Sequence, residues 1–252
     1  MLITIIGSGN VAAVLGKIFK ETSHEINEVV GRNETTVNSL AHILNARPCF
    51  SIKDISRASD LFVVAVKDDA VGEVSSQLNI PGKMAVHTCG SVSVNVLKNA
   101  SENYGVLYPL QSLRKELNYH PEIPFLIDGN NAAAKDFIQN FASSFAGTIT
   151  EADDEMRLRY HLSAIISSNF TNHLFALTKD YCDRNNINFH LLLPLIEETV
   201  NRMHYYDPAI MQTGPAARGD KATIQKHLDL LQAYPALKNI YEIISDSIQN
   251  NR

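Results

Sequence analysis

The sequence predicts an α/β fold, a doubly wound parallel sheet followed by an all-helical region, on three observations. Short β-branched runs alternate with helix-patterned stretches from Met1 to about Thr150. A glycine-rich turn follows the first of those runs, and strand signals stop beyond Glu151. The expected strands are Leu2 to Ile6, Ile26 to Val30, Leu61 to Val66, Met84 to His87, Gly105 to Leu107 and Phe125 to Ile127. Between them, Val11 to Glu21 and Thr35 to Asn45 place apolar residues at helical spacing. After Glu151 come a helical run from about Asp153 to Arg184, another from His190 to about Tyr205, a Gly- and Pro-rich loop from Gln212 to Asp220, and helix to the end. Two domains follow, residues 1–150 and 151–252, with a shift in composition marking the boundary.

At 252 residues the chain exceeds the usual size of one domain, which favours two domains sharing a cleft. Its apolar fraction of 45% and charged fraction of 19% are those of a globular protein. No run approaches the roughly 20 apolar residues that span a bilayer, and Met1 leads straight into Leu-Ile-Thr-Ile-Ile with no signal-peptide pattern, so a cytoplasmic protein without a membrane partner is expected. Cys49, Cys89 and Cys182 are odd in number and lack zinc-site or disulfide spacing; no metal is expected. A net charge of −5 provides no basic face for nucleic acid.

The first run ends in Gly7-Ser8-Gly9-Asn10-Val11-Ala12, a GxGxxA pattern standing where a Rossmann dinucleotide fingerprint stands, between a strand and a helix. Gly7 permits the tight turn, Gly9 lets a pyrophosphate approach the backbone, and the first N–H groups of the helix bind the anion. An ordinary glycine turn in an unrelated α/β protein is the plainer alternative. An NAD enzyme places Asp or Glu at the end of its second strand to bind the ribose 2′-OH. Here the chain reads Val29-Val30-Gly31-Arg32-Asn33, so Arg32 and Asn33 favour the 2′-phosphate of NADPH unless Arg32 is only a solvated loop charge. Ala65, Val66 and Lys67 reach the same edge, and Asp68 or Asp69 either lies there or caps the next helix.

Met84 to Ser91 ends a buried strand in a small polar loop, which places Thr88 and Gly90 beside the cofactor. His87 and Cys89 are neighbours of that site without an assigned catalytic role. Gln111 and Ser112 follow Tyr108-Pro109-Leu110 and either reach the substrate or sit in a turn fixed by Pro109. On the long helix, Arg157, His161, Ser168 and Asn172 lie within an arc of roughly 60° if the helix is regular. That polar stripe faces a wet cleft or a buried hydrogen-bond network.

The GxGxxA turn, His87-Thr88-Cys89-Gly90-Ser91, Tyr108-Pro109-Leu110-Gln111-Ser112, Tyr160-His161, Ser168-Asn169 and Thr213-Gly214-Pro215-Ala216-Ala217-Arg218-Gly219-Asp220 together resemble the Rossmann-like NADP oxidoreductases. That group is related to pyrroline-5-carboxylate reductase and to deazaflavin-dependent NADP oxidoreductases. The resemblance covers nearly the whole chain. It implies an NADP-binding domain, a helical dimerisation domain like that of the 6-phosphogluconate dehydrogenase superfamily, a cleft between them and a homodimer, but no particular substrate; a small molecule is the expected partner. Two departures stand out: Tyr108 occupies a position where the family is expected to have His, and the superfamily's catalytic Lys is not evident, Arg157 and His161 being the nearest candidates.

The expected activity is hydride transfer between NADPH and a C=O or C=N bond. His161 is the expected proton donor or orienting group, Ser168 or Asn169 bonds the reacting atom, and Gln111, Ser112, Asn172 and Arg218 contact the substrate. Arg218 equally suits a carboxylate across a dimer, and Asp220 suits a helix cap. Two other readings remain open: a deazaflavin or flavin as hydride partner, and a non-catalytic dinucleotide-binding sensor.

Overall fold

In the computed structural model, which describes residues 1–250, the first strand β1 (Leu2–Ile6) is buried on both faces. Ile3 and Ile5 pack with helix α1 (Asn10–Glu21) and helix α2 (Glu34–Leu44). Ile6 turns to the opposite side, the side of helix α3 (Val71–Gln77). The same two-residue alternation divides β4 (Leu61–Val64): Leu61 and Val63 join the first core, Phe62 and Val64 the second. A sheet buried on both faces needs apolar residues at every position, which is why these segments read as unbroken hydrophobic runs.

The remaining strands are β2 (Glu25–Val30), β3 (Arg47–Cys49), β5 (Met84–His87), β6 (Asn103–Pro109), β7 (Phe125–Gly129) and β8 (Ile149–Glu151). They form one sheet in the order β3-β2-β1-β4-β5-β6-β7-β8. Every pair is parallel except β6 with β7. Helix α4 (Ala132–Ala142) joins α1 and α2 on the first face. This is the expected doubly wound sheet. Strands β3 and β8 were not expected, because three residues are too few to show alternation and Pro48 lies within β3.

The expected single helix from Asp153 to Arg184 is three segments: α5 (Asp154–Ala164), a π-helical stretch (Ile165–Phe170) and α6 (Thr171–Arg184). Asp153 starts α5 by accepting the Met156 N–H at 2.8 Å. Helices α7 (Leu193–Asn201), α8 (Pro215–Arg218), α9 (Lys221–Leu230) and α10 (Pro235–Asn250) follow.

The chain divides into two compact units, Met1–Asn169 and the remainder from Phe170. Strands end at Glu151, but the unit built around the sheet also includes α5 and the π-helical turn as far as Asn169, because Arg157 is anchored to the loop after β5 and His161 to β6. In the second unit Ala216, Ala217 and Cys182 are buried, and His227 hydrogen-bonds Tyr241 at 2.8 Å. Among the described residues no helix is long and apolar enough to cross a membrane.

Candidate active site

The parallel register aligns Val30, Ile6, Val64 and His87, so the carboxyl ends of β2, β1, β4 and β5 share one edge. The strand order reverses between β1 and β4, and ligands of open α/β sheets bind at such a switch point. A cleft of about 1110 Å³ opens there. Gly7, Ser8, Gly9, Asn10, Val11, Arg32, Asn33, Ala65, Val66 and Lys67 all line it, as the sequence places them; Thr88 and Gly90 do not and are buried at the end of β5.

Gly7 has φ +129°, and a Cβ on it would lie 2.1 Å from the carbonyl oxygen of Ala65. Only glycine allows β1 to turn this close to the end of β4. At Gly9, by contrast, an added Cβ meets nothing within 4 Å, because the residue faces the open cleft. Asn33, Asn131 and Asp153 cap α2, α4 and α5 with side-chain oxygens, whereas α1 begins at Gly9 with no side-chain cap. Its first N–H groups and the positive end of its dipole therefore point into the cleft.

Two of the expected contact residues have structural duties as well. Asn33 accepts the Thr36 N–H at 3.0 Å, and Ser8 Oγ lies 2.7 Å from Thr36 Oγ1, tying the glycine turn to α2. Arg32 is exposed and forms a long ion pair, 3.7 Å, with Glu73 across the cleft. Phe50, Ser51 and Ile52 also line the cleft. Sequence reasoning missed them because they follow β3, a strand that left no pattern. Asp68 and Asp69 cap nothing: the 3-10 turn after β4 begins at Lys67, and Asp68 accepts a hydrogen bond from Ser91 Oγ.

That bond connects the cleft to a second cluster. His161 on α5 places Nδ1 2.9 Å from Tyr108 Oη, the two rings meeting edge-on at 77°. On its other side the imidazole rests on Gly90, where an added Cβ would lie 2.7 Å from His161 Cγ and Nδ1. Burial pushes the Tyr108 hydroxyl above its usual pKa, with Asp68 and Cys89 adding to the rise and Arg157 opposing it, so it stays protonated. Burial also holds His87 neutral, its pKa pushed down to about 4 with the help of Arg157, while Asp154, the Ser93 backbone and Asp68 oppose that fall. His87 Nδ1 accepts the Cys89 N–H at 3.2 Å. Burial raises the Cys89 thiol far above its ordinary value, Asp68 adding to the rise, which leaves no thiolate for nucleophilic work. His87 and Cys89 thus shape the loop that carries Thr88 and Gly90.

The polar stripe does not occupy one environment. Arg157 is buried, His161 half-buried, and Ser168, Asn169 and Asn172 are exposed. The π-helical turn breaks the regular spacing on which the stripe was read. Gln111 spends its amide on the loop, donating to the Glu122 carbonyl at 3.1 Å and accepting the Ser112 N–H at 2.8 Å. Ser112 is exposed. In the second unit Arg218 is exposed at the end of α8, and Asp220 caps α9 by accepting the Thr223 N–H at 3.0 Å. Among the described residues no group of His, Cys, Asp and Glu is arranged to hold a metal ion.

Residues 2–89 match the family model described as NADP oxidoreductase coenzyme F420-dependent, and residues 123–248 match one described as Domain of unknown function (DUF2520). The crystal structure of a Bacteroides fragilis protein assigned as an NADP oxidoreductase is 34% identical, with 99% of this chain and 98% of that one covered and a TM-score of 0.92. The chain belongs to this NADP oxidoreductase family. The imine reductase of a Pseudomonas species (16% identical, 99% and 94% covered, TM-score 0.71) shares the oxidoreductase's fold. So does the reductive aminase of Aspergillus terreus in complex with NADPH and ethyl levulinate (13% identical, 98% and 92% covered, TM-score 0.73). No curated protein matches the oxidoreductase. Its cleft fits an NADP cofactor on its own geometry: the φ of Gly7, the open approach at Gly9, the uncapped α1 and the guanidinium of Arg32.

Proposed function

We propose that this oxidoreductase transfers a hydride between NADPH and a C=O or C=N bond of a small molecule, with His161 supplying the proton. The observation that carries the proposal is the placement of His161. Its ring lies against Gly90, beside Ser91, whose hydroxyl bonds the cleft residue Asp68.

Arg32 favours NADPH over NADH, since a guanidinium matches a phosphate in charge and geometry. Glu28 of β2 does not compete for a ribose hydroxyl: it is buried and held by Arg47 and by the Ser56 N–H at 2.9 Å. The α1 N-terminus holds the pyrophosphate. When bound, NADPH supplies the hydride to the substrate carbon. His161 then gives its proton to the oxygen or nitrogen, closing the balance as an alcohol or an amine. Ser168 and Asn169, both exposed, are proposed to hydrogen-bond the reacting atom and Ser112 to hold the rest of the substrate, with Gln111 shaping the Ser112 loop. The shared fold with proteins named imine reductase and reductive aminase favours C=N over C=O.

A deazaflavin as hydride partner is the second reading, favoured by the description of the family model over residues 2–89. We propose further that the protein is a homodimer: Leu158, Leu162 and Ile166, four residues apart, are each about half exposed, 49%, 59% and 55%. A cytoplasmic location suits three cysteines that are free and buried. The decisive experiment is a titration with NADPH and NADH followed by a screen of imine, carbonyl and deazaflavin acceptors. Turnover of an imine that is lost in His161→Ala with NADPH binding intact supports the proposal. Turnover at the wild-type rate removes His161 from the mechanism.

A further inference from the structure

Tyr108 stands on β6, His161 on α5, and the two meet where neither chain segment's local pattern requires a partner. The contact is specific to one nitrogen: Tyr108 Oη lies 2.9 Å from His161 Nδ1. The ring cannot swing freely about this contact. Its Cγ and Nδ1 press against the backbone at Gly90, so closely that a methyl group there would need 2.7 Å contacts. Tyr108 crosses the imidazole edge-on, with ring centres 5.9 Å apart. Tyr108 on β6 and Gly90 in the loop after β5 therefore set the position and the orientation of one imidazole.

Burial and the nearby Asp68 keep the phenol protonated, and no described residue other than His161 lies at hydrogen-bonding distance from Tyr108 Oη. A protonated phenol can donate to a ring nitrogen or accept from it, and donation is the arrangement that gives the phenol's own proton an acceptor. An imidazole that accepts at Nδ1 carries its proton at Nε2 when neutral.

We infer that Tyr108 is a positioning residue that holds His161 as the Nε2-protonated tautomer, so that Nε2–H is the group presented to substrate. The inference rests on the proton-donor reading of His161 and deepens it: the phenol fixes Nε2 as the nitrogen that faces the substrate, and the proton transferred from it is that of the imidazolium, whose Nδ1–H then donates to Tyr108 Oη. A hydrogen-bond donor at Nδ1 engages that nitrogen's lone pair, which directs proton exchange of the neutral ring to Nε2. The position expected to hold His in this family is thereby filled by a group that acts through a neighbour.

The test is 15N NMR of the full chain labelled at histidine, comparing wild type with Tyr108→Phe at a pH where His161 is neutral. His161→Gln identifies the resonances. The expected wild-type spectrum has an unprotonated, hydrogen-bonded Nδ1 and a protonated Nε2. Tyr108→Phe, which keeps the ring and removes the hydroxyl, shifts the His161 Nδ1 resonance and mixes the tautomers. With an imine substrate in hand, the same variant is expected to lower kcat by about tenfold, part of the roughly hundredfold or more that a positioned acid supplies, with NADPH affinity unchanged. A wild-type Nδ1 that carries the proton overturns the inference, as does a Tyr108→Phe spectrum identical to wild type. The spectrum reads the tautomer without turnover, so it separates this inference from the proton-donor reading: an active His161→Ala sinks the latter, whatever the spectrum shows.

Discussion

Arg157 Nη2 lies 2.6 Å from Asp154 Oδ1, one turn earlier on α5, and 2.5 Å from the carbonyl oxygen of Val92. Asp154 Oδ1 in turn accepts the Val94 N–H at 2.9 Å. One guanidinium, only 1% exposed, thus fastens α5 to the loop after β5. Its Nε and Nη1 are buried without partners, so the anchor is costly as well as useful. Arg157→Ala is expected to lower stability by about 2–3 kcal/mol, from lost charge-assisted bonds and packing. Arg157→Met, which removes the unpaired nitrogens and keeps the bulk, should cost less. Urea denaturation of both variants checks the order; equal losses would mean that packing contributes nothing.

His87 makes stability depend on acid. Its folded pKa, about 4, lies below the ordinary 6.5. Between those values the unfolded chain binds a proton that the folded chain refuses, so stability is full above pH 6.5 and is lost as pH falls toward 4. The shift corresponds to about 3 kcal/mol at 1.36 kcal/mol per pKa unit. Denaturation midpoints measured from pH 7 to pH 4 should fall in wild type and fall less steeply in His87→Gln. Parallel curves would assign the acid sensitivity elsewhere.

Gly7→Ala should fail in two ways at once. The added methyl would lie 2.1 Å from Ala65 O, a backbone atom that cannot rotate away, and φ of +129° disfavours any Cβ. A stability loss of about 1–3 kcal/mol is expected from overpacking. NADPH binding should weaken at least as much, because the turn must move. Thermal melts with and without NADPH separate the two effects, and a variant that melts and binds like wild type refutes the cradle.

Arg32 and Glu73 face each other across the cleft at the end of β1, 84% and 58% exposed. Glu73 therefore competes with a 2′-phosphate for the guanidinium. Fluorescence titration of Arg32→Ala should show weaker NADPH binding with NADH binding little changed. Glu73→Gln should tighten NADPH by about two- to fivefold, the scale of an exposed ion pair. Unchanged selectivity in Arg32→Ala would move the 2′-phosphate site away from the end of β2.

The sequence by itself determined the frame. Short apolar runs at β1, β4 and β5, bounded by turn residues, read as strands buried on both faces, and Gly7-Ser8-Gly9 after the first of them marked the turn that opens on the cleft, because local sterics and helix termini act over a few residues. Arg32 was legible for the same reason, standing a fixed distance beyond a strand. Tertiary structure alone decided the rest. The meeting of Tyr108 with His161, 53 residues apart, is set by the pairing of β6 with β5 and the docking of α5, neither of which has a local signature. The polar stripe failed as a single face because a π-helical turn answers to packing rather than to propensity. The sequence left Arg157 between a wet cleft and a buried network, and the structure makes it a buried anchor, since a side chain's burial depends on what folds over it and not on its spacing along its own helix.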